Sequence, residues 1–171
     1  MQPRGAAWRV ILLMGVSGSG KSTIGRLLAD QHGFAFVDAD AYHSRENVAR
    51  MRRGEPLDDA VRAGWLALLR DRIDRAFAQH ETIALACSAL KAAYRARLGL
   101  PRPGAALVYL RIPRDEALVR VDTRTDHFMP ASLVASQFDT LEEPPEDAIV
   151  IDALQPPATI IRAIGQRLGL P

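Results

Sequence analysis

The sequence predicts an α/β fold, a sandwich of helices around a parallel sheet. Short apolar runs, typical of strands buried on both faces, alternate with segments of helical periodicity. A glycine-rich loop joins the first apolar run to the first helical segment. At 171 residues the chain is expected to form one domain, 1–171, with residues 1–8 as a loose tail.

Each element follows from a local pattern. Strands are predicted at the apolar runs 10–14, 34–37, 82–87, 105–110 and 148–151. Helices are predicted at 21–32, at 44–53, at 89–99 following a Ser88 cap, at 131–138 and at 160–168. Two further helices are predicted to begin after a cap at Asp58 and after Pro113. The apolar stripe of the helix after Asp58 is predicted to comprise Val61, Trp65, Leu68, Leu69 and Ile73.

Composition excludes several classes of protein. The chain has 22 Lys and Arg against 20 Asp and Glu, a net charge of +2 without a dense basic stripe, so no nucleic-acid partner is expected. No apolar run approaches the roughly 20 residues that span a bilayer, so no membrane partner is expected. The single cysteine, Cys87, excludes an internal disulfide framework and a cysteine-rich zinc site. We expect a cytoplasmic protein.

The loop after the first strand matches the phosphate-loop pattern G-x-x-x-x-G-K-[ST] in full. Its glycines let backbone N–H groups converge on phosphate oxygens, and the following helix adds its positive dipole end. The pattern predicts a nucleoside triphosphate, with Lys21 at the β- and γ-phosphates and Ser22 as a Mg²⁺ ligand. The predicted nucleotide-binding residues here are Gly15, Val16, Ser17, Gly18, Ser19, Gly20, Lys21, Ser22 and Thr23.

Two carboxylates, Asp38 and Asp40, end the second predicted strand. On an extended chain residues two apart point to the same side, and ligands gather at the carboxyl ends of parallel strands. One carboxylate is expected to hold Mg²⁺ or its water, and the other to accept a hydroxyl proton. A solvated pair at the strand end, or a helix cap, is the alternative.

Two pairs of basic residues are candidates for contacts with anions. Lys91 and Arg95 are four apart near a predicted helix start, which favours an anionic acceptor nearby; a solvated basic face is the alternative. Arg120 and Arg124 are four apart at a predicted helix end, within a lid predicted at about 120–135. There they would cover the γ-phosphate, unless they only compensate the helix dipole.

Several segments together resemble one family, the small bacterial-type gluconate kinases. The segments are MGVSGSGKST (14–23), DADAYH (38–43), GEPLDD (54–59), CSALK (87–91), HFMP (127–130) and SQF with TLE (136–142). The resemblance covers nearly the whole chain. It implies a three-layer α/β/α P-loop kinase fold of the nucleoside-monophosphate-kinase type, with a five-stranded parallel sheet, a small lid and commonly a homodimer.

The resemblance also implies the reaction of ATP with D-gluconate to give 6-phosphogluconate and ADP. Asp40, Lys21 and Arg124 would be catalytic, and Asp38 and Ser22 would organise Mg²⁺. The acceptor would be held by Asp40, His43, Lys91, Arg95 and His127.

Two alternatives stay open at this stage. The first is the same chemistry on another acceptor, such as shikimate or another sugar acid. The second is an ATP-binding module without transfer chemistry. If the protein binds ATP, loop 152–157 is expected to form one wall of the adenine pocket.

Overall fold

The computed structural model describes residues 8–125 and 130–171, and within them it has the predicted parallel sheet. Its strands are β1 (Val10–Met14), β2 (Ala35–Asp38), β3 (Ile83–Ala86), β4 (Ala105–Arg111) and β5 (Ile149–Asp152). They are hydrogen-bonded in the order β2-β3-β1-β4-β5, and every pairing is parallel. The predicted fold class is confirmed, including the number of strands.

Seven α-helices connect and cover the described strands. They are α1 (Lys21–His32), α2 (Arg45–Arg52), α3 (Asp59–Ala78), α4 (Ala92–Arg97), α5 (Arg114–Asp122), α6 (Ala131–Thr140) and α7 (Pro157–Leu168). Helices α1 and α7 pack on one face of the sheet, whereas α3 and α4 pack on the other. The result is the three-layer arrangement that the family resemblance implies.

The central strand β1 explains why its sequence is uniformly apolar. Ile11 and Leu13 face the α1 and α7 layer, whereas Val10, Leu12 and Met14 face the α3 and α4 layer. All five side chains are fully buried. A strand covered on both faces has no solvent side, so its sequence cannot alternate between apolar and polar residues.

The helix predicted for 89–99 is wrong at its start. The structure begins α4 at Ala92, and Ser88 caps no helix. Ala89 has a φ of 45°, in the left-handed region, so a right-handed helix cannot run through it. Lys91 is therefore the residue before the helix, and the expected pair of Lys91 and Arg95 on one helical face does not form.

Trp8, which the sequence assigned to the loose N-terminal tail, is instead held by the folded domain. Trp8 packs against the core, and its indole Nε1 donates a hydrogen bond to the Leu168 carbonyl at 2.8 Å. At the predicted lid, α5 and α6 flank a stretch whose residues 126–129 lie outside the described residues. No helix in the described parts of the chain is long and apolar enough to cross a membrane.

The buried residues of α3 also differ from the predicted stripe: Leu66 and Ala76 are buried, whereas Val61 and Leu68 are not. Leu69 is fully buried against the sheet, whereas Leu68 is 51% exposed. Leu68 is rotated by about 100° around the helix from Leu69, and this rotation points it to solvent.

These adjacent leucines offer a matched test of core packing. Leu69→Ala should lower the free energy of unfolding by about 2–5 kcal/mol, because it leaves a cavity under the sheet. Leu68→Ala should lower it by less than about 1 kcal/mol. Urea denaturation of both variants measures the difference, and equal losses would show that α3 does not pack as described.

Candidate active site

The phosphate loop follows β1 and needs glycine at particular positions. Gly18 has a φ of 87°, and a Cβ there would lie 2.8 Å from the Ala117 carbonyl oxygen on α5. A Cβ on Gly15 would lie 2.7 Å from the Ser19 hydroxyl oxygen. Gly15 and Gly18 thus have no room for a side chain, which explains the need for glycine at both positions.

Lys21 is the first residue of α1, and its ammonium turns back onto the loop. Its Nζ donates a hydrogen bond to the Val16 carbonyl at 2.9 Å. Burial lowers the pKa of Lys21, an effect that the carboxylates of Asp40 and Asp38 oppose. The site therefore holds a partly buried cation, which an anionic phosphate would stabilise.

Asp38 organises the residues at the end of β2. Its Oδ2 accepts a hydrogen bond from the Ser22 hydroxyl at 3.0 Å, and its Oδ1 accepts one from the Asp40 N–H at 3.0 Å. Asp40 lies in a short 3₁₀ helix (Ala39–Tyr42) and not on an extended strand. The expected strand geometry is wrong at Asp40, yet both carboxylates line one cleft with Lys21.

Two adjoining depressions meet at the phosphate loop. The first, here called the acceptor cleft, is lined by Ser17, Gly18, Gly20, Lys21, Ser22, Asp38, Asp40, His43, Met51, Leu57, Arg62, Trp65, Ala86, Cys87, Ser88, Arg124 and Gln137. The second, here called the nucleoside groove, is lined by Ser19, Gly20, Thr23, Ile24, Arg120, Thr123, Arg124, Ala153, Gln155, Pro157 and Ile160. Gly20 and Arg124 line both, so a ligand crossing from groove to cleft passes these two residues.

His43 and Trp65 form one wall of the acceptor cleft. Their rings stack with centroids 4.4 Å apart, and the Trp65 Nε1 donates to the Ala39 carbonyl at 2.8 Å. The His43 Nδ1 is buried with no hydrogen-bond partner among the described residues. Burial lowers the pKa of His43, and nearby Arg62 lowers it further against the effect of Asp40, which favours the neutral imidazole.

Arg62 is a site residue that the sequence predictions missed. Its Nη1 donates to the Tyr94 hydroxyl at 2.6 Å, and that hydroxyl donates to Asp59 Oδ1 at 2.7 Å. The Lys91 ammonium is 3.7 Å from Asp59 Oδ2 and does not line the cleft. Arg62 thus supplies the positive charge on this wall that was expected from Lys91. The available signal was the family resemblance, whose central segment GEPLDD is followed by a matching Arg62.

Arg95 does not fill its predicted role in acceptor binding. Only 5% of Arg95 is exposed. Its guanidinium donates to the backbone carbonyls of Ala89, Leu90, Glu142 and Glu143 at 2.9–3.3 Å. A guanidinium has five N–H donors, and this one uses them to hold two loops together. Arg95 is a structural residue here, and the prediction is corrected.

The two lid arginines occupy different positions. Arg120 donates to the Gly18 carbonyl at 3.3 Å and to the Ala153 carbonyl at 3.0 Å, tying the phosphate loop to the loop after β5. Arg124 lies beyond the end of α5, is exposed, and lines both depressions. His127, the remaining predicted acceptor residue, lies outside the described residues.

Comparisons with known proteins identify the family. A profile of the family described as shikimate kinase matches residues 17–146. A probable gluconokinase of Mus musculus is 43% identical over 161 residues, covering 83% of this chain and 88% of that protein. The thermoresistant gluconokinase of Escherichia coli (strain K12) is 40% identical over 153 residues, covering 86% of each chain. The chain belongs to the shikimate kinase family and, within it, to the gluconokinases.

A solved structure supports this membership. The crystal structure of a gluconokinase from Sinorhizobium meliloti 1021 superposes with a TM-score of 0.82 at 39% identity. The match covers 98% of this chain and 94% of that one. As a member of the gluconokinase family, the protein is a phosphotransferase that acts on an alcohol group, and the kinase family implies ATP as the donor. The family predicted from the sequence motifs is confirmed, and no comparison favours the non-catalytic alternative.

Cys87 lines the acceptor cleft but is 1% exposed. Burial raises the pKa of its thiol to about 12. At about pH 8, iodoacetamide should therefore label Cys87 in the native protein about a thousandfold more slowly than in the urea-unfolded chain. Mass spectrometry measures both rates, and Cys87→Ser, which leaves no cysteine, is the background control. Labelling of the native protein at the unfolded rate would contradict this environment.

Proposed function

We propose that this protein transfers the γ-phosphoryl group of ATP to the primary hydroxyl of D-gluconate, giving 6-phosphogluconate and ADP. One observation carries the proposal: Lys21, Asp40 and Arg62 line a single cleft that adjoins the nucleoside groove. This reaction needs a cation to bind phosphate, a carboxylate to accept the hydroxyl proton and a second cation to bind an anionic acceptor. The similarity of the chain to gluconokinases supports gluconate as the acceptor.

ATP would bind with its base in the nucleoside groove and its phosphates on the loop. Loop amides other than those of Gly15, Ser17 and Ser19, which already donate within the protein, would donate to phosphate oxygens, as the positive end of α1 favours. Arg120 and the loop after β5 would flank the base, since Arg120 already spans Gly18 and Ala153. Arg124, where groove and cleft meet, would neutralise charge on the γ-phosphoryl group.

The donor set at the loop fits Mg²⁺ bound together with ATP. Ser22 and Asp38 offer a hydroxyl and a carboxylate whose oxygens lie 3.0 Å apart. In the described parts of the chain, no cluster of three or more His, Cys, Asp or Glu residues could hold a metal ion by itself. Mg²⁺ is commonly held by one or two carboxylates with phosphate oxygens and waters, so this sparse set suits it. When bound, the ion would offset negative charge on the phosphates.

The acceptor would lie between Asp40 and the wall formed by His43, Trp65 and Arg62. Asp40 would accept the proton of the primary hydroxyl while that oxygen forms a bond to the γ-phosphorus and the bond to the ADP oxygen breaks. Arg62 would pair with the gluconate carboxylate, and His43, which lines the cleft, would contact a gluconate hydroxyl. A homodimer and a cytoplasmic location stay predictions.

An acceptor screen tests the proposal directly. ADP release is measured with D-gluconate, shikimate, a second sugar acid and no acceptor, each at the same concentration. Gluconate should give the highest kcat/KM, and the acceptor-free rate should be far lower. Shikimate is included because the matching family profile carries its name. Faster turnover with shikimate would replace the proposed acceptor, and no turnover with any acceptor would refute transfer to an alcohol.

Asp40→Asn should reduce kcat for gluconate by about 10²- to 10⁴-fold, because the amide cannot accept the hydroxyl proton. ATP affinity, measured by calorimetry, should change little. Asp30→Asn, on the exposed side of α1, is the control and should leave kcat unchanged. Near-normal kcat in Asp40→Asn would require a different base.

Arg62→Met should raise KM for gluconate by about 10- to 100-fold with a small effect on KM for ATP, because a charge-assisted hydrogen bond to the carboxylate is lost. Arg75→Met changes an exposed arginine on the same helix and serves as the control. Steady-state kinetics with each substrate varied in turn separates the two KM values. Unchanged KM for gluconate would place the carboxylate elsewhere.

A further inference from the structure

One contact to the phosphate loop has no place in the reaction described above. Gln137 on α6 accepts a hydrogen bond through Oε1 from the backbone N–H of Ser17 at 2.6 Å. The contact joins residues 120 positions apart in the chain. A backbone N–H can only donate, so the contact determines which end of the carboxamide is the oxygen: Oε1 faces the loop and Nε2 is the other terminal atom.

The second end of the carboxamide remains available for a ligand. Gln137 lines the acceptor cleft together with Lys21, Asp40 and Arg124. Among the described residues none accepts a hydrogen bond from its Nε2. The two N–H donors of Nε2 are thus the part of this side chain that could reach an oxygen acceptor in the cleft.

Helix α6 holds this side chain on a packed element. Leu133 and Val134, one turn earlier, are buried, and Val134 belongs to the core cluster that includes Val121 of α5. Ser17, at the other end of the contact, is 6% exposed. Gln137 is held by α6 at its backbone and by the Ser17 N–H at Oε1, so its side chain has few conformations to lose when it binds a ligand.

We propose that Gln137 contacts the group undergoing transfer, with Nε2 donating to one of its oxygens while Oε1 holds the Ser17 amide. Ser17 lines the acceptor cleft and not the nucleoside groove, so the carboxamide lies on the side of the loop where phosphoryl group and acceptor meet. The atom that receives this hydrogen bond is an oxygen of the γ-phosphoryl group or the hydroxyl oxygen of the molecule to be phosphorylated. This inference rests on the proposed function. It also removes the Ser17 N–H from the predicted phosphate donors.

Three variants separate the two ends of the carboxamide. Gln137→Met has a similar length but neither accepts nor donates these hydrogen bonds. Gln137→Glu keeps an oxygen for the Ser17 N–H but loses the Nε2 donor and adds negative charge facing the cleft. Ser136→Ala is the control, because the Ser136 hydroxyl is exposed and bonds only within α6, to the Leu133 carbonyl.

The expected result is a loss of about 10- to 100-fold in kcat/KM for both Gln137 variants and none for Ser136→Ala. ADP binding, measured by calorimetry, should stay within about twofold of the wild type, because ADP lacks the transferred group. A matching loss in affinity for a non-hydrolysable ATP analogue assigns the contact to the γ-phosphoryl group. A rise in KM for the acceptor alone assigns it to the acceptor hydroxyl.

Two outcomes would overturn the inference. Wild-type kinetics in Gln137→Glu would show that only the Ser17 contact matters, even if Gln137→Met is inactive or unfolded. Equal losses of ADP and ATP-analogue affinity would assign Gln137 to loop structure alone. The nucleotide titrations need no acceptor, so they remain informative if gluconate is the wrong acceptor. If only the proposed acceptor is wrong, the kinetics are repeated with the acceptor that the screen identifies.

Discussion

The Lys21 ammonium, partly buried between the phosphate loop and two carboxylates, is the constraint around which this site is arranged. Burial lowers the pKa of Lys21, while Asp40 and Asp38 favour its charged form. Its Nζ donates a hydrogen bond back to the loop, to the Val16 carbonyl. A cation held this way is stabilised most by an anion that replaces its lost hydration, which is what a triphosphate offers.

The order of the strands is what brings the compensating groups to this cation. In the order β2-β3-β1-β4-β5, β3 lies between β1 and β2, so the loop after β1 faces the residues after β3 and Asp38 at the end of β2. The Gly15 N–H donates to the Ser88 carbonyl at 3.3 Å, which joins the ends of β1 and β3 directly. Each strand end can be recognised from its local sequence, but only the parallel sheet brings the three strand ends together at one edge.

Sequence patterns predicted the features that depend on neighbouring residues. The phosphate loop, the β1 run and the Asp58 cap, whose side chain accepts the Val61 N–H at 2.8 Å, were predictable because each pattern spans a few residues. The exact start of α4 was not, because the left-handed Ala89 that delays it carries no glycine signal. Arg62 and Gln137 were missed for a different reason: their partners, Tyr94 and Ser17, are distant in sequence.

Arginine at this site shows why residue type alone does not assign function. Arg95 and Arg62 both lie near the third strand end, and charge spacing favoured Arg95 as the acceptor ligand. The structure surrounds Arg95 with carbonyl oxygens, which use its donors and leave it buried. Arg62 instead donates from one nitrogen to the Tyr94 hydroxyl, which in turn donates to Asp59. Arg62 still lines the cleft. What distinguishes a ligand-binding arginine from a structural one is therefore how many of its donors the fold has already used, and only tertiary contacts decide that number.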